Sequence, residues 1–316
     1  MTNSDSTQVA PALLFPGQGA QFPGMGQDWA QAHSVAKETF EEANEALGLD
    51  LGKLCWESGD QVHRTDVAQP GILTTSVAII RVLQKERGLD LGAAPFCAGL
   101  SLGEYTALWA SGSLGFSDAV RLVRLRGEAM QSASEATPSS MTSLVGANAE
   151  QAEALAAIGA KVGICSVANK NAPGQIVLSG ELAGLDAVEA AAKEHGVKRA
   201  VRLTVAGGFH SECMRPAAEQ LRAALAEVDI QTPNVPVVTN VTARPVSSPG
   251  EIRTVLAQQV CAPVLWEDSM RWALAEGISS FLEPGPGAVL AGLMRRIAKG
   301  GEVTPVVQSV EKPDNL

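Results

Sequence analysis

Histidine is scarce in this chain. Only His33, His63, His195 and His210 can supply an imidazole, so chemistry that needs such a base has four places to look. The cysteines Cys55, Cys97, Cys165, Cys213 and Cys261 are scattered and form no C-x-x-C pair, and neither a zinc site nor a disulfide framework is expected. No stretch approaches the roughly 20 uninterrupted apolar residues of a membrane helix, and the opening "MTNSDSTQVAPALLF" lacks the basic start of a secretory signal. The expectation is a cytoplasmic monomer with no metal, no bound cofactor and no membrane contact. Basic residues are outnumbered, 24 Lys and Arg against 34 Asp and Glu, and the formal net charge of −10 argues against a nucleic-acid partner. Repeats, low-complexity tracts and long linkers are missing too, so the parts of the chain should associate tightly.

What is present fits a globular α/β protein: 316 residues, 46% of them hydrophobic, can bury one large core or a core with a small appendage. Leu13 to Phe15 reads as a strand, followed by the glycine-rich "PGQGAQFPGMG" and a helix from Asp28 to Leu47. A buried helix from Gly71 to Gly88 and a strand in "APFCAG" come next, then a helix ending at Gly112. This alternation predicts a mostly parallel sheet with helices on both faces. Between residues 137 and 207 the order becomes strand, helix, strand, strand, helix, strand, the pattern of an inserted ferredoxin-like α+β subdomain. The larger core is then 1–136 and 208–316.

Gly99-Leu100-Ser101-Leu102-Gly103 is a G-x-S-x-G at a predicted strand-to-helix junction, the context of a nucleophile elbow in a hydrolase-like core. The alternative is a serine that merely turns the chain. Among the histidines, His210 in "AGGFHSECM" follows a strand and two glycines and precedes a helix that Ser211 can cap; it is either the base or a structural histidine in a turn. The segment between Ser101 and His210 is mostly the small subdomain, and its acids fall on helices, so a neutral carbonyl, with Gln259 the candidate, is the expected partner of the imidazole. Arg126 lies within the apolar arc of "AVRLVRLRGEAM", while Arg121, Arg124 and Glu128 share the polar one. A buried guanidinium needs an anion, which is either a protein carboxylate or a ligand carboxylate held by its forked donors. "GQGAQF" fails as a dinucleotide loop because Phe22 stands at the third glycine; it can instead bring the Gln18 N–H beside Ser101.

Together "LLFPGQGAQFPGMG", "GLSLGEYTAL", "RLRGEAM", "VANKNAPGQIVLSG", "GGFHSECMRPA", "QQVCAPVLWEDS" and "FLEPGPGAVLAGLMRR" resemble the malonyl-CoA:acyl carrier protein transacylase family of fatty-acid synthesis. The resemblance implies Ser101 as acylated nucleophile, His210 as base and Gln259 as the source of the carbonyl that orients it. It further implies an oxyanion hole from the N–H groups of Gln18 and Leu102, Arg126 as clamp on the malonyl carboxylate, and Asn171 at the site's border. Phe209 is similar to the malonyl-selective members and would crowd an α-methyl group. Leu100 departs from the usual histidine of G-H-S-x-G, which puts any role of that histidine in doubt. The implied partners are malonyl-CoA, coenzyme A and an acidic acyl carrier protein, faced by Arg295 and Arg296 and, as weaker assignments, Lys198, Arg199 and Arg202. Readings left open are a free-standing polyketide acyltransferase, a serine thioesterase or hydrolase, and a silent carrier-binding scaffold.

Overall fold

The structure, a computed structural model, describes residues 10–316. The stretch 1–9, on which the reading of the opening segment rests, lies outside them. Among the described residues, ten strands form two sheets. The larger holds β1 (Ala12–Phe15), β2 (Cys97–Gly99), β7 (Val237–Val238), β8 (Pro245–Val246), β9 (Ser280–Pro284) and β10 (Val306–Val310), in the order β10-β9-β1-β2-β7-β8. All its pairings are parallel except β7 with β8. Apolar residues such as Leu13, Leu14, Phe15 and Phe96 are fully buried there, as strands covered on both faces require.

The smaller sheet holds β3 (Ser139–Val145), β4 (Cys165–Ala172), β5 (Gln175–Glu181) and β6 (Arg199–Arg202) in the antiparallel order β4-β5-β3-β6, with helices Ala149–Gly159 and Leu182–Ala191 completing the ferredoxin-like pattern. Backbone hydrogen bonds tie β4 to the larger body, Lys170 N–H to the Val264 carbonyl at 2.9 Å and Val264 N–H to the Ala168 carbonyl at 2.8 Å.

Two helices differ from expectation for identifiable reasons. The buried one begins at Thr65, six residues before Gly71, and carries Pro70 inside it. Proline cannot donate to the carbonyl four residues back; that carbonyl, of Asp66, accepts from Arg124 Nη1 at 2.7 Å, so the helix continues. The helix expected over 28–47 is two, Gln27–Ala32 and Ser34–Leu47, with His33 extended between them. Trp29 Nε1–H donates to the Glu311 carbonyl at 2.9 Å, which fixes the first piece against the end of the chain, while Phe40 and Ala43 of the second pack into the main core. The second helix of the small subdomain, Leu182–Ala191, leaves His195 in the turns that follow it. Thr65–Arg87 is long and apolar enough to cross a membrane by composition, and it is buried inside the protein.

Glycines set the closest approaches. A Cβ on Gly127 would stand 2.7 Å from the Thr65 carbonyl oxygen and 2.8 Å from Asp66 Cα, so the helix Phe116–Ala136 can cross Thr65–Arg87 this tightly only with glycine there. Between β2 and the helix Gly103–Ala110, a Cβ on Gly99 would run into the Gly103 carbonyl, and one on Gly103 into that of Phe15. Gly99→Ala is expected to cost on the order of 3 kcal/mol, the upper range for forcing atoms into a packed interior, read as a lowered midpoint in denaturant unfolding.

Candidate active site

The site forms beyond the carboxyl ends of the parallel strands, where open α/β sheets commonly bind ligands. β2 ends at Gly99, and the chain turns through Leu100 and Ser101 into the helix Gly103–Ala110. Ser101 takes φ 50°, a left-handed conformation that costs a residue with a side chain about 1–3 kcal/mol. Asn240, just after β7, holds the turn from both sides: its Oδ1 accepts from Ser101 N–H at 2.6 Å, and its Nδ2–H donates to the Gly99 carbonyl at 2.7 Å.

The turn presents Ser101 Oγ to His210 Nε2 at 2.8 Å. His210 Nδ1–H donates to the backbone carbonyl of Gln259 at 2.8 Å, which leaves Nε2 as the acceptor for the serine proton. His210 is also left-handed, with φ 59°. Ser211, the expected cap, accepts from Cys213 N–H, although what it caps is a single 3₁₀ turn, Glu212–Met214, before the helix proper. Burial and the nearby Arg126 cation lower the His210 pKa to about 4, against the pull of its carbonyl acceptors, so the imidazole is neutral at neutral pH.

Arg126 is 1% exposed. Among the described residues it forms no salt bridge; its partners are neutral oxygens, Gln69 Oε1 at 2.7 Å, Gln259 Oε1 at 3.0 Å and Ser101 Oγ at 3.1 Å. Its Nε–H is buried without a partner. Nη2, which contacts the serine, therefore shares an edge of the guanidinium with the unpaired Nε–H. The Gln259 side chain completes the link, with Nε2–H donating to the Ser101 carbonyl and to Glu104 Oε2, both at 2.9 Å.

Ser101, His210, Gln259 and Arg126 are therefore brought together. A Cβ on Gly17 would collide with the Leu100 carbonyl, and this close approach sets Gln18 beside the turn. Among the described residues, the N–H groups of Gln18 and Leu102 donate to no protein acceptor. Leu100, where the resembling family usually has histidine, packs half-buried against the cluster containing Leu14, Ala98 and Val264. Phe209 is buried in the main core cluster, and Asn171 lies on β4 with a buried, unpartnered Oδ1 and no hydrogen bond to the central residues. Of the basic residues, Arg295, Lys198 and Arg199 are exposed, and Arg296, also exposed, donates to Gln175 Oε1 at 2.9 Å. Arg202 is spent within its own subdomain, at 2.8 Å from Asp186 and 2.6 Å from Glu189, and offers no free charge. Sequence reasoning missed Asn240, Glu104 and Gln69. Glu104 had a signal, a carboxylate in the first turn of an otherwise apolar helix.

Residues 12–312 match the acyl transferase domain model. The chain belongs to the acyl transferase domain family. Within it, a malonyl CoA-acyl carrier protein transacylase of Bacillus subtilis (strain 168) is 43% identical over 292 residues, 90% of each chain. A solved acyl-carrier-protein S-malonyltransferase from Bartonella henselae superposes with TM-score 0.92 at 39% identity, covering 97% of this chain and 96% of that one. A solved complex of a malonyl-transacylase with its holo type II polyketide acyl-carrier protein gives TM-score 0.90 at 36% identity, with 97% of each chain covered.

The His210 imidazole should titrate with a midpoint near 4 by NMR of its ring protons. Arg126→Met, which removes the neighbouring cation, is expected to move that midpoint upward; an unchanged midpoint would mean that burial alone sets it.

Proposed function

We propose that this protein transfers the malonyl group of malonyl-CoA to the phosphopantetheine thiol of acyl carrier protein, supplying malonyl carrier protein for fatty-acid synthesis. The observation that carries the reading is Arg126: a buried cation with no carboxylate in salt-bridge contact among the described residues, hydrogen-bonded to the Ser101 hydroxyl. Removing such a charge from water is costly unless an anion arrives to meet it. A malonyl group brings its carboxylate a short distance from the thioester carbonyl, matching the placement of guanidinium beside serine. The relatives named above support the same substrates.

In this reading His210 Nε2 takes the Ser101 proton as Oγ attacks the thioester carbonyl carbon. The N–H groups of Gln18 and Leu102 receive the oxyanion. Collapse expels the coenzyme A thiolate, which takes the proton from the imidazolium and leaves a malonyl ester on Ser101. The carrier thiol then gives its proton to His210 while its sulfur attacks the ester, and Ser101 departs with the proton restored. Arg126 keeps the carboxylate in place through both halves. Phe209 and Asn171 are taken to border the acyl group, and Arg295 and Arg296, with Lys198 and Arg199 further off, to face the acidic carrier. The working unit is taken to be a cytoplasmic monomer that needs no cofactor, nucleic acid or membrane.

Brief exposure to malonyl-CoA should add one malonyl group, seen by intact-protein mass spectrometry, which holo carrier protein discharges and Ser101→Ala lacks. An adduct lost equally fast without carrier would indicate a hydrolase instead, and no adduct would sink the transfer reading. Arg126→Ala should lower kcat/KM for malonyl-CoA about 100-fold, the loss of a charge-assisted contact of about 3 kcal/mol, while affecting acetyl-CoA much less. Reversing both charges, Arg295→Glu with Arg296→Glu, should raise KM for carrier protein about tenfold at low salt and spare acylation by malonyl-CoA; unchanged carrier kinetics would remove these residues from the docking face.

A further inference from the structure

Glu104 is fully buried in the first turn of the helix that follows Ser101. Its Oε2 accepts from Asn240 N–H at 3.0 Å and from Gln259 Nε2–H at 2.9 Å, whereas Oε1 is buried with no hydrogen-bond partner among the described residues. One carboxamide stands between this carboxylate and Arg126: Gln259 turns Oε1 to the guanidinium and Nε2 to Glu104. That orientation is forced, because a guanidinium only donates while a carboxylate and the Ser101 carbonyl only accept. The charged group acting on Glu104 is Arg126, from the helix Phe116–Ala136. Tyr105, next in the chain, is kept protonated by burial, and the neutral His210 meets the network through the Gln259 carbonyl. Thr65–Arg87 contributes the uncharged Gln69, β1 and β2 contribute backbone, and the segments bearing Asn240 and Gln259 contribute amides.

Glu104 is thus the anion closest in the network to a cation that, on the function proposed above, must also hold the substrate's carboxylate. Two buried carboxylates against one guanidinium are not both ionised at modest cost. We propose that Glu104 is a positioning residue that serves as the resting counter-charge of Arg126 and takes up one proton from solvent when the malonyl carboxylate arrives. The proton rests on Oε1, the oxygen that accepts nothing, so Oε2 keeps both its donors and Gln259 keeps its orientation. When the malonyl group leaves on the carrier thiol, the proton returns to solvent. Burial raises the Glu104 pKa to about 7, held from rising further by its two donors and Arg126, so the switch needs little free energy near neutrality.

The test is calorimetry at pH 7 on Ser101→Ala protein, in buffers of different ionisation enthalpy, comparing malonyl-CoA with acetyl-CoA, which shares every group except the carboxylate. Malonyl-CoA should take up about half a proton more, since a group with its pKa near 7 is half protonated beforehand. In the same background Glu104→Gln should abolish that difference. In the active enzyme, KM for malonyl-CoA should climb by about tenfold per pH unit above pH 7, and Glu104→Gln should flatten the climb. Equal proton counts for the two thioesters overturn the proposal, as does an undiminished difference in Glu104→Gln; the first comparison keeps Glu104 in place and so stands even if that variant fails to fold. Failure of malonyl-CoA to bind or acylate would instead overturn the malonyl reading itself.

Discussion

The turn between β2 and the helix Gly103–Ala110 is the constraint on which the site depends. Its geometry demands two contacts that no side chain permits, at Gly99 and Gly103, and a left-handed Ser101 between them. Such strain persists only when the surroundings over-determine it. Asn240 does so by clasping the turn at the Ser101 N–H and the Gly99 carbonyl, and Gln259 adds a third hold on the Ser101 carbonyl. Glu104 ties these two clasps together, since one of its oxygens accepts from both. The nucleophile's position is therefore set by a ring of hydrogen bonds closed through three separate stretches of chain.

Electrostatics follow from that ring. Arg126 enters a site whose nearest polar groups are neutral, and its field, together with burial, keeps His210 uncharged and able to accept a proton. The tight crossing at Gly127 matters here because it sets the helix bearing Arg126 against the one bearing Gln69. A larger residue at 127 would push the helices apart and loosen the guanidinium one residue away.

Much of this was visible in sequence because the signals were local. The G-x-S-x-G at a strand end, the two glycines before His210 and an arginine on an apolar helix face each announce a departure from the surrounding pattern. The alternation of elements likewise implied a mostly parallel sheet and a βαββαβ insertion, and both sheets have those orders. Asn240 and Gln69 carried no such mark: their importance arises from partners 139 and 57 residues away. The start of the buried helix at Thr65, ahead of Pro70, was hidden for a related reason. The carbonyl that the proline leaves free is satisfied by Arg124, 58 residues on, a contact no local rule anticipates. Arg202 looked like one more exposed base in a basic run until the fold placed Asp186 and Glu189 against it.

The imidazole of His210 leans on a peptide carbonyl, where many serine enzymes use a carboxylate. A neutral acceptor gives the protonated ring little stabilisation, so the base is a weak one. Weakness sorts the nucleophiles that approach an acyl-serine: a thiol, with an intrinsic pKa of about 8.5, gives up its proton readily, while water, at about 15.7, does not. A site built in this way tends to hand its acyl group to sulfur and to outlast the solvent around it.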